Sequence, residues 1–260
     1  MADPLRDDTV AAVAEAGRAA LARFRTDFAA WEKAPGNPVC EVDLAVDALL
    51  RERLSALLPD AGWLSEETAD APARLACRRV WIVDPIDGTR DYVRGRTGWA
   101  VSVALVEDGQ PVLAVLDAPA RGERWVATRG GGAWHDGVAI RASGATQLPG
   151  ARTPADALPR ADRDLVAVAK PNSIALRMAM VAGGDADLLA TIRWGNEWDI
   201  AAAVLIAREA GAIVTDAIGR KLRFNQPRPQ AFGVLTTAPG IHAAAVERLR
   251  DRAVAALGRR

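Results

Sequence analysis

The chain has 260 residues, half of them hydrophobic and a quarter charged, which is the composition of a globular protein of one large or two ordinary domains. Lys plus Arg and Asp plus Glu both number 33, so no net charge marks the chain for a nucleic-acid polymer or an anionic membrane surface. Cys40 and Cys77 make neither a disulfide framework nor a zinc site. With no basic-apolar leader and no apolar run of bilayer length, the expectation is a cytoplasmic protein that contacts no membrane.

In chain order, Val10, Val13, Ala14, Leu21, Phe24 and Phe28 recur at roughly helical spacing and predict an amphipathic helix from Asp7 to Trp31. Pro-Gly-Asn-Pro within Lys33 to Pro38 predicts a loop. A second helix is expected from Asp43 to Leu58, with Asp43 at its start, where a carboxylate caps orphan N–H groups. Gly62 to Thr68 is a short strand-like run that ends in paired acids, Glu66 and Glu67. Those two are either solvated surface or ligands at a strand end. Ala69 to Arg79 is a polar connector.

Val80 to Val83 is a β-branched and aromatic run too short for a helix, so a buried strand is predicted. It leads into Asp84-Pro85-Ile86-Asp87-Gly88-Thr89. Pro85 lacks a ladder donor, so pairing should stop there. Asp84 and Asp87 flank the bend, and two carboxylates so close repel unless a proton or cation intervenes. Mg²⁺ binds through one or two carboxylates plus substrate phosphate, which suits this loop. The same residues are also common turn formers, so the loop alone leaves both readings open.

Gly98 to Asp117 predicts two strands around Glu107-Asp108-Gly109-Gln110, with Val101, Val103 and Leu105 on one face. Glu123 to Thr128 is a further strand. Gly130-Gly131-Gly132 and Asp136-Gly137 suggest a glycine-rich bend and a hairpin, without the Lys-Ser/Thr ending of a phosphate loop. Ser143 to Arg163, rich in Ala, Pro, Gly and Asp, divides the chain into residues 1–145 and 146–260. Beyond it, strands are expected at Asp164 to Ala169, Ala186 to Thr191, Ala212 to Thr215 and Phe232 to Thr236. Helices are expected at Ser173 to Ala182, Trp198 to Ala210 and Ile241 to Leu257.

Three separated stretches, Ser65-Glu66-Glu67, Asp84 to Thr89, and Trp198-Asp199-Ile200-Ala201-Ala202 with Glu209-Ala210-Gly211, together resemble the inositol monophosphatase superfamily of metal-dependent, lithium-sensitive phosphatases. The resemblance runs from Asp43 to about Gly219. It implies an α+β fold, the layered αβαβα sandwich of the sugar phosphatases, usually homodimeric. It also implies that Glu66, Asp84, the Ile86 carbonyl, Asp87 and Asp199 hold two or three Mg²⁺ ions, with Glu67 as a nearby acid that helps place a metal or its water. Thr89 and Asp43 would orient and deprotonate the attacking water, while the Gly88 and Thr89 amides bind phosphate. Haloacid-dehalogenase phosphatases also carry acidic Asp-Gly-Thr loops, but with one residue between the aspartates where this chain has two, Pro85 and Ile86.

The substrate is expected to be a small phosphorylated metabolite. Inositol-specific members carry a glutamate seven residues before the Trp-Asp aspartate, where this chain has Ile192, and Asn172-Ser173 replaces a Gly-Ser/Thr near the substrate. Leu64-Ser65-Glu66-Glu67 and Val106-Glu107-Asp108-Gly109 instead look like bacterial 3'(2'),5'-bisphosphate nucleotidases. In that reading Asp87 and Ser173 also face the substrate, Arg193 and Lys170 serve a second phosphate, and Trp194 stacks on a base. Inositol-1-monophosphatase is the alternative, followed by a catalytically silent metal-binding member.

Overall fold

Alternation along the run Val80–Val83 decides the layering. Trp81 and Val83 face one apolar cluster, and Val80 and Ile82 face another on the opposite side of the sheet. The computed structural model describes residues 3–34 and 36–258. Its first half comprises α1 (Pro4–Arg23), β1 (Ala30–Ala34), β2 (Asn37–Cys40), α2 (Glu41–Leu57), β3 (Gly62–Ser65), β4 (Arg79–Asp87), α3 (Thr89–Val93), β5 (Ala100–Glu107), β6 (Gln110–Ala118), β7 (Glu123–Thr128), β8 (Gly132–His135) and β9 (Val138–Ala139). The second half comprises β10 (Arg152–Pro154), β11 (Val166–Val168), α4 (Ile174–Ala182), β12 (Leu188–Ala190), β13 (Trp194–Asn196), α5 (Ala201–Glu209), β14 (Ile213–Thr215), β15 (Gln230–Phe232), β16 (Leu235–Thr237) and α6 (His242–Leu257).

Strands β3 to β9 form one sheet in sequence order, parallel only between β3 and β4. Helices α1 and α2 cover the face that carries Trp81, Val101, Val103, Leu105 and Val115. On the other face Ala100, Ala104, Ala114 and Ala127 let the alanine-rich α5 lie close, with α4 beside it. Behind these helices lies the antiparallel sheet β12-β16-β14, and α6 closes it from outside. The order helices, sheet, helices, sheet, helix is the expected αβαβα sandwich. A single apolar cluster joins strands before residue 145 to helices after it.

Several elements differ from the sequence expectation. α1 ends at Arg23, and Arg25 takes a left-handed φ of 64°, which turns the chain out of the helix. Phe24 and Phe28 still reach one aromatic cluster with Tyr92 and Trp99, which explains why their spacing suggested a continuous helix. The predicted loop at Lys33 to Pro38 is largely the hairpin β1–β2, and Pro35 within it lies outside the described residues. Pairing of β4 breaks after Asp84 as Pro85 requires, but it resumes at Asp87 opposite Ala100 across a bulge. Within the stretch taken as a boundary, β10 pairs in parallel with β11. The strand expected at Phe232 to Thr236 is two strands, β15 and β16. They are separated by Gly233 (φ 67°), whose close approach to the Thr191 carbonyl leaves no room for a Cβ.

Candidate active site

Parallel pairing of β3 with β4 sets Ser65 opposite Val83, so the next residues, Glu66 and Asp84, leave the sheet edge side by side. The Glu66 amide donates to the Val83 carbonyl (3.3 Å) and keeps that register one residue beyond the strand. Asp84 Oδ1 accepts from the Ile86 amide at 3.1 Å, an Asx turn that shapes the Pro85 bend. The turn reading and the ligand reading of this loop therefore hold together, because the second carboxylate oxygen remains for the site. Asp199 arrives from the other half, one residue before the N-cap of α5, and its Oδ2 accepts from the Asn196 amide (3.0 Å). Carboxylate oxygens of Glu66, Asp84 and Asp199 all lie within 4.8 Å of one another.

The far end of α5 is also fixed. Glu209 accepts the Gly130 and Gly132 amides, one on each carboxylate oxygen and both at 3.0 Å. The glycine triplet thus binds an anion, but that anion is a carboxylate of the chain itself. This clamp ties α5, and through it Asp199, to the β7–β8 turn.

Burial first, and then mutual repulsion, make this cluster costly as free anions. Burial and the neighbouring Asp199 push Glu66 up to about 8, with Lys33 opposing. Burial and Asp87 raise Asp199 to about 7. Asp84, 2% exposed, lies well above the carboxylate range through burial and its neighbours Glu66 and Asp87. One buried and two half-buried carboxylates, poor in hydrogen bonds and converging at this distance, make an oxygen site for a hard divalent cation. The donor set fits Mg²⁺.

Asp87 opens on the same cavity but is not part of that trio. Its oxygens accept from Ser173 Oγ (2.5 Å), the Ala175 amide (2.8 Å) and the Ile174 amide (3.3 Å), across the first turn of α4. Ser173 is fully buried, accepts the Leu176 amide as the α4 N-cap, and is turned to Asp87, so its hydroxyl does not reach the cavity where a substrate contact was expected. Glu67 likewise faces away, paired with Lys33 Nζ at 2.5 Å, while the same ammonium lies 3.7 Å from Glu66. Thr89 and Asp43 do meet: Thr89 Oγ lies 3.0 Å from Asp43 Oδ1 and 2.9 Å from the Ile86 carbonyl. α2 starts two residues before the expected Asp43, so Asp43 is its third residue; its Oδ2 accepts the amide of the cap residue Cys40 at 2.8 Å, the reciprocal half of a capping box. Gly88, at φ 98°, starts α3, and a Cβ there would lie 2.8 Å from the Gly98 carbonyl.

A cavity of about 500 Å³ opens over these groups. Arg193 lines it, and so does Lys170, which pairs with Asp156. Trp194 is instead partly buried against Phe232 (5.4 Å) beside an apolar cluster and does not line the cavity. Ile192 faces the apolar interior and not the cavity. Arg177 was missed. Its spacing four residues after Ser173 places it one turn along α4, and that was the available signal. Its guanidinium donates to the Ser173 (3.2 Å) and Asn172 (3.0 Å) carbonyls. Burial holds it below the usual guanidinium range, Asp87 opposing and Arg193 adding to the shift.

The sequence matches the inositol monophosphatase family over residues 1–259. The chain belongs to this family. Curated relatives of this inositol monophosphatase family member include the 3'(2'),5'-bisphosphate nucleotidase CysQ of Aggregatibacter actinomycetemcomitans, 31% identical over 236 residues that span 85% of this chain and 88% of that protein. Another is the fructose-1,6-bisphosphatase/inositol-1-monophosphatase of Thermotoga maritima, 32% identical over 191 residues, or 70% and 73% of the two chains. Among solved structures, the extragenic suppressor protein suhB from Bartonella henselae aligns with a TM-score of 0.82 at 26% identity, covering 95% of this chain and 99% of that one. Membership makes the chain a phosphatase, a phosphoric monoester hydrolase. Enzymes of the inositol monophosphatase family are metal dependent, usually on Mg²⁺, and the carboxylate trio is an acidic cluster suited to that ion. No helix among the described residues is long and apolar enough to cross a membrane.

Proposed function

We propose that this phosphatase is Mg²⁺ dependent and prefers 3'(2'),5'-bisphosphate nucleotides. The observation that carries the substrate reading is the pair Arg177 and Arg193. Both line the cavity, and neither makes an ion pair with a carboxylate among the described residues. Asp87 and Asp199 lie near enough to act on Arg177 through charge but form no ion pair with either arginine, so both guanidinium groups keep donors for an anion in the cavity. A substrate with a second phosphate supplies one, and the match to CysQ enzymes over most of both chains supports the same choice.

In this reading Glu66, Asp84 and Asp199 hold Mg²⁺, with Asp87 and the Ile86 carbonyl completing two or three sites. When bound, the ions supply charge neutralisation at the phosphoryl group and a more acidic water. The chain's own residues do the rest. Thr89 donates its hydroxyl proton to Asp43 Oδ1, which leaves its oxygen free to take a proton from the attacking water. The water oxygen ends on inorganic phosphate as the ester P–O bond breaks, and the departing ester oxygen takes a proton from solvent and leaves as the alcohol. The Gly88 and Thr89 amides, orphan donors at the start of α3, face the phosphate oxygens. Glu67 holds Lys33 beside Glu66. Ser173 supports Asp87. Function as a cytoplasmic homodimer belongs to the same reading.

A phosphate-release comparison of adenosine 3',5'-bisphosphate, inositol 1-phosphate and fructose 1,6-bisphosphate tests the substrate. The expected result is the highest kcat/KM for the nucleotide. Arg193→Ala should lower that value by roughly 10- to 100-fold, since each 1.36 kcal/mol is tenfold, and leave inositol 1-phosphate hydrolysis nearly unchanged. A wild-type preference for inositol 1-phosphate would overturn the assignment.

A further inference from the structure

Asp43 is held by a second donor, the thiol of the α2 cap residue Cys40, in addition to that residue's amide. Cys40 Sγ lies 2.9 Å from Asp43 Oδ2, the same oxygen that takes the Cys40 amide at 2.8 Å. Thr89 Oγ is on the other oxygen at 3.0 Å. Cys40 is the N-cap of α2, a position that favours Ser, Thr, Asp or Asn because their side-chain oxygens accept from the first-turn amides. Its sulfur, a weak acceptor, takes the Asp43 amide in a capping box, and its S–H remains free to donate. The thiol is fully buried, and burial with the adjacent Asp43 pushes it up to about 12, so it keeps its proton at neutral pH. Asp43 is itself 1% exposed.

We infer that Cys40 is a positioning residue for the Thr89–Asp43 pair: its thiol and its amide pin one carboxylate oxygen of Asp43, so that the other stays aligned with the Thr89 hydroxyl. The inference rests on the proposed role of that pair in accepting the water proton. Two donors from one residue on one oxygen fix the plane of the carboxylate. The amide alone leaves it free to rotate about the Cβ–Cγ bond and lose the 3.0 Å contact with Thr89.

The test compares Cys40→Ala and Cys40→Ser with Asp43→Asn and with the double variant Cys40→Ala/Asp43→Asn. Adenosine 3',5'-bisphosphate and inositol 1-phosphate serve as substrates with Mg²⁺ present, well below the melting temperature of every variant. Cys40→Ala should lower kcat about tenfold with KM within twofold of wild type, the pattern of a lost transition-state interaction. Cys40→Ser, which keeps a donor, should recover kcat to within about threefold. The double variant should be no slower than Asp43→Asn alone, because Cys40 acts only through Asp43. Wild-type kcat in Cys40→Ala, a loss carried in KM, an equal loss in Cys40→Ser, or additive losses in the double variant would each overturn the inference while leaving the Thr89–Asp43 reading intact. Wild-type kcat in Asp43→Asn would instead overturn that reading, and the role of Cys40 with it.

Discussion

Removing divalent cations should make the protein lose stability as pH rises from 5.5 to 8. Glu66 moves from an ordinary 4.5 to about 8 in the folded chain, and Asp199 from 3.8 to about 7, with burial as the leading cause of both. A carboxyl whose folded value is raised binds its proton more tightly when folded. Its stabilising contribution is therefore complete below the unfolded value and is lost as pH climbs through the folded one. Between pH 5.5 and 8 the shift at Glu66 corresponds to about 3 kcal/mol and that at Asp199 to about 2 kcal/mol, at 1.36 kcal/mol per unit. The two carboxylates repel each other, so their contributions overlap. At about 2 °C per kcal/mol for a chain of this size, the melting temperature of metal-free protein should fall by about 4–10 °C across that range. Under the proposed metal site, millimolar Mg²⁺ should raise the melting temperature at pH 8, where the trio is ionised, by several degrees more than at pH 5.5, where it competes with protons. Thermal melts of chelator-treated protein at both pH values, with and without millimolar Mg²⁺, measure this. A melting temperature of metal-free protein that rises from pH 5.5 to 8, or an equal Mg²⁺ increment at both, would refute the electrostatic account of the cluster.

Two further outcomes follow from the geometry. Thr89→Ala or Asp43→Asn should lower kcat by roughly 10²–10⁴ with little change in KM, as expected when general-base help is lost; steady-state kinetics showing a raised KM at constant kcat would make these residues substrate binders instead. Glu209→Ala should remove both charge-assisted bonds to the glycine turn and lower the melting temperature by about 2–6 °C, for about 1–3 kcal/mol. A shift below about 1 °C would mean that the clamp does not hold α5.

The acidic loop was legible in the sequence because its chemistry is local. Asp84 to Thr89 carries its own strand end, turn and helix start, and β-branched alternation placed the strands on either side. Glu66 could be brought to Asp84 only through resemblance, since their adjacency comes from a parallel register that no local pattern encodes. The end of α1 was hidden because Phe24 and Phe28 face the same cluster whether or not the helix continues. Ser173 and Trp194 each found a partner within the chain that no local pattern encodes, the Ser173 hydroxyl at Asp87 and the Trp194 ring at Phe232. The Gly130–Gly132 bend was legible in sequence but its anion was not, because that ligand, Glu209, lies 77 residues from Gly132. Arg177 escaped notice because a cation within an apolar helix looks like ordinary surface until the cavity is seen.

Phosphate release by wild type and Asp84→Asn, each assayed in Mg²⁺ and after chelation, tests the central claim most directly. Asp84→Asn keeps an oxygen for the Ile86 amide but removes a charge from the middle of the trio. The account predicts turnover in wild type with Mg²⁺, its abolition by chelator, its recovery on adding Mg²⁺ back, and a loss of at least 10²-fold in the variant. Undiminished turnover in chelator, or an Asp84→Asn variant as active as wild type, would contradict it.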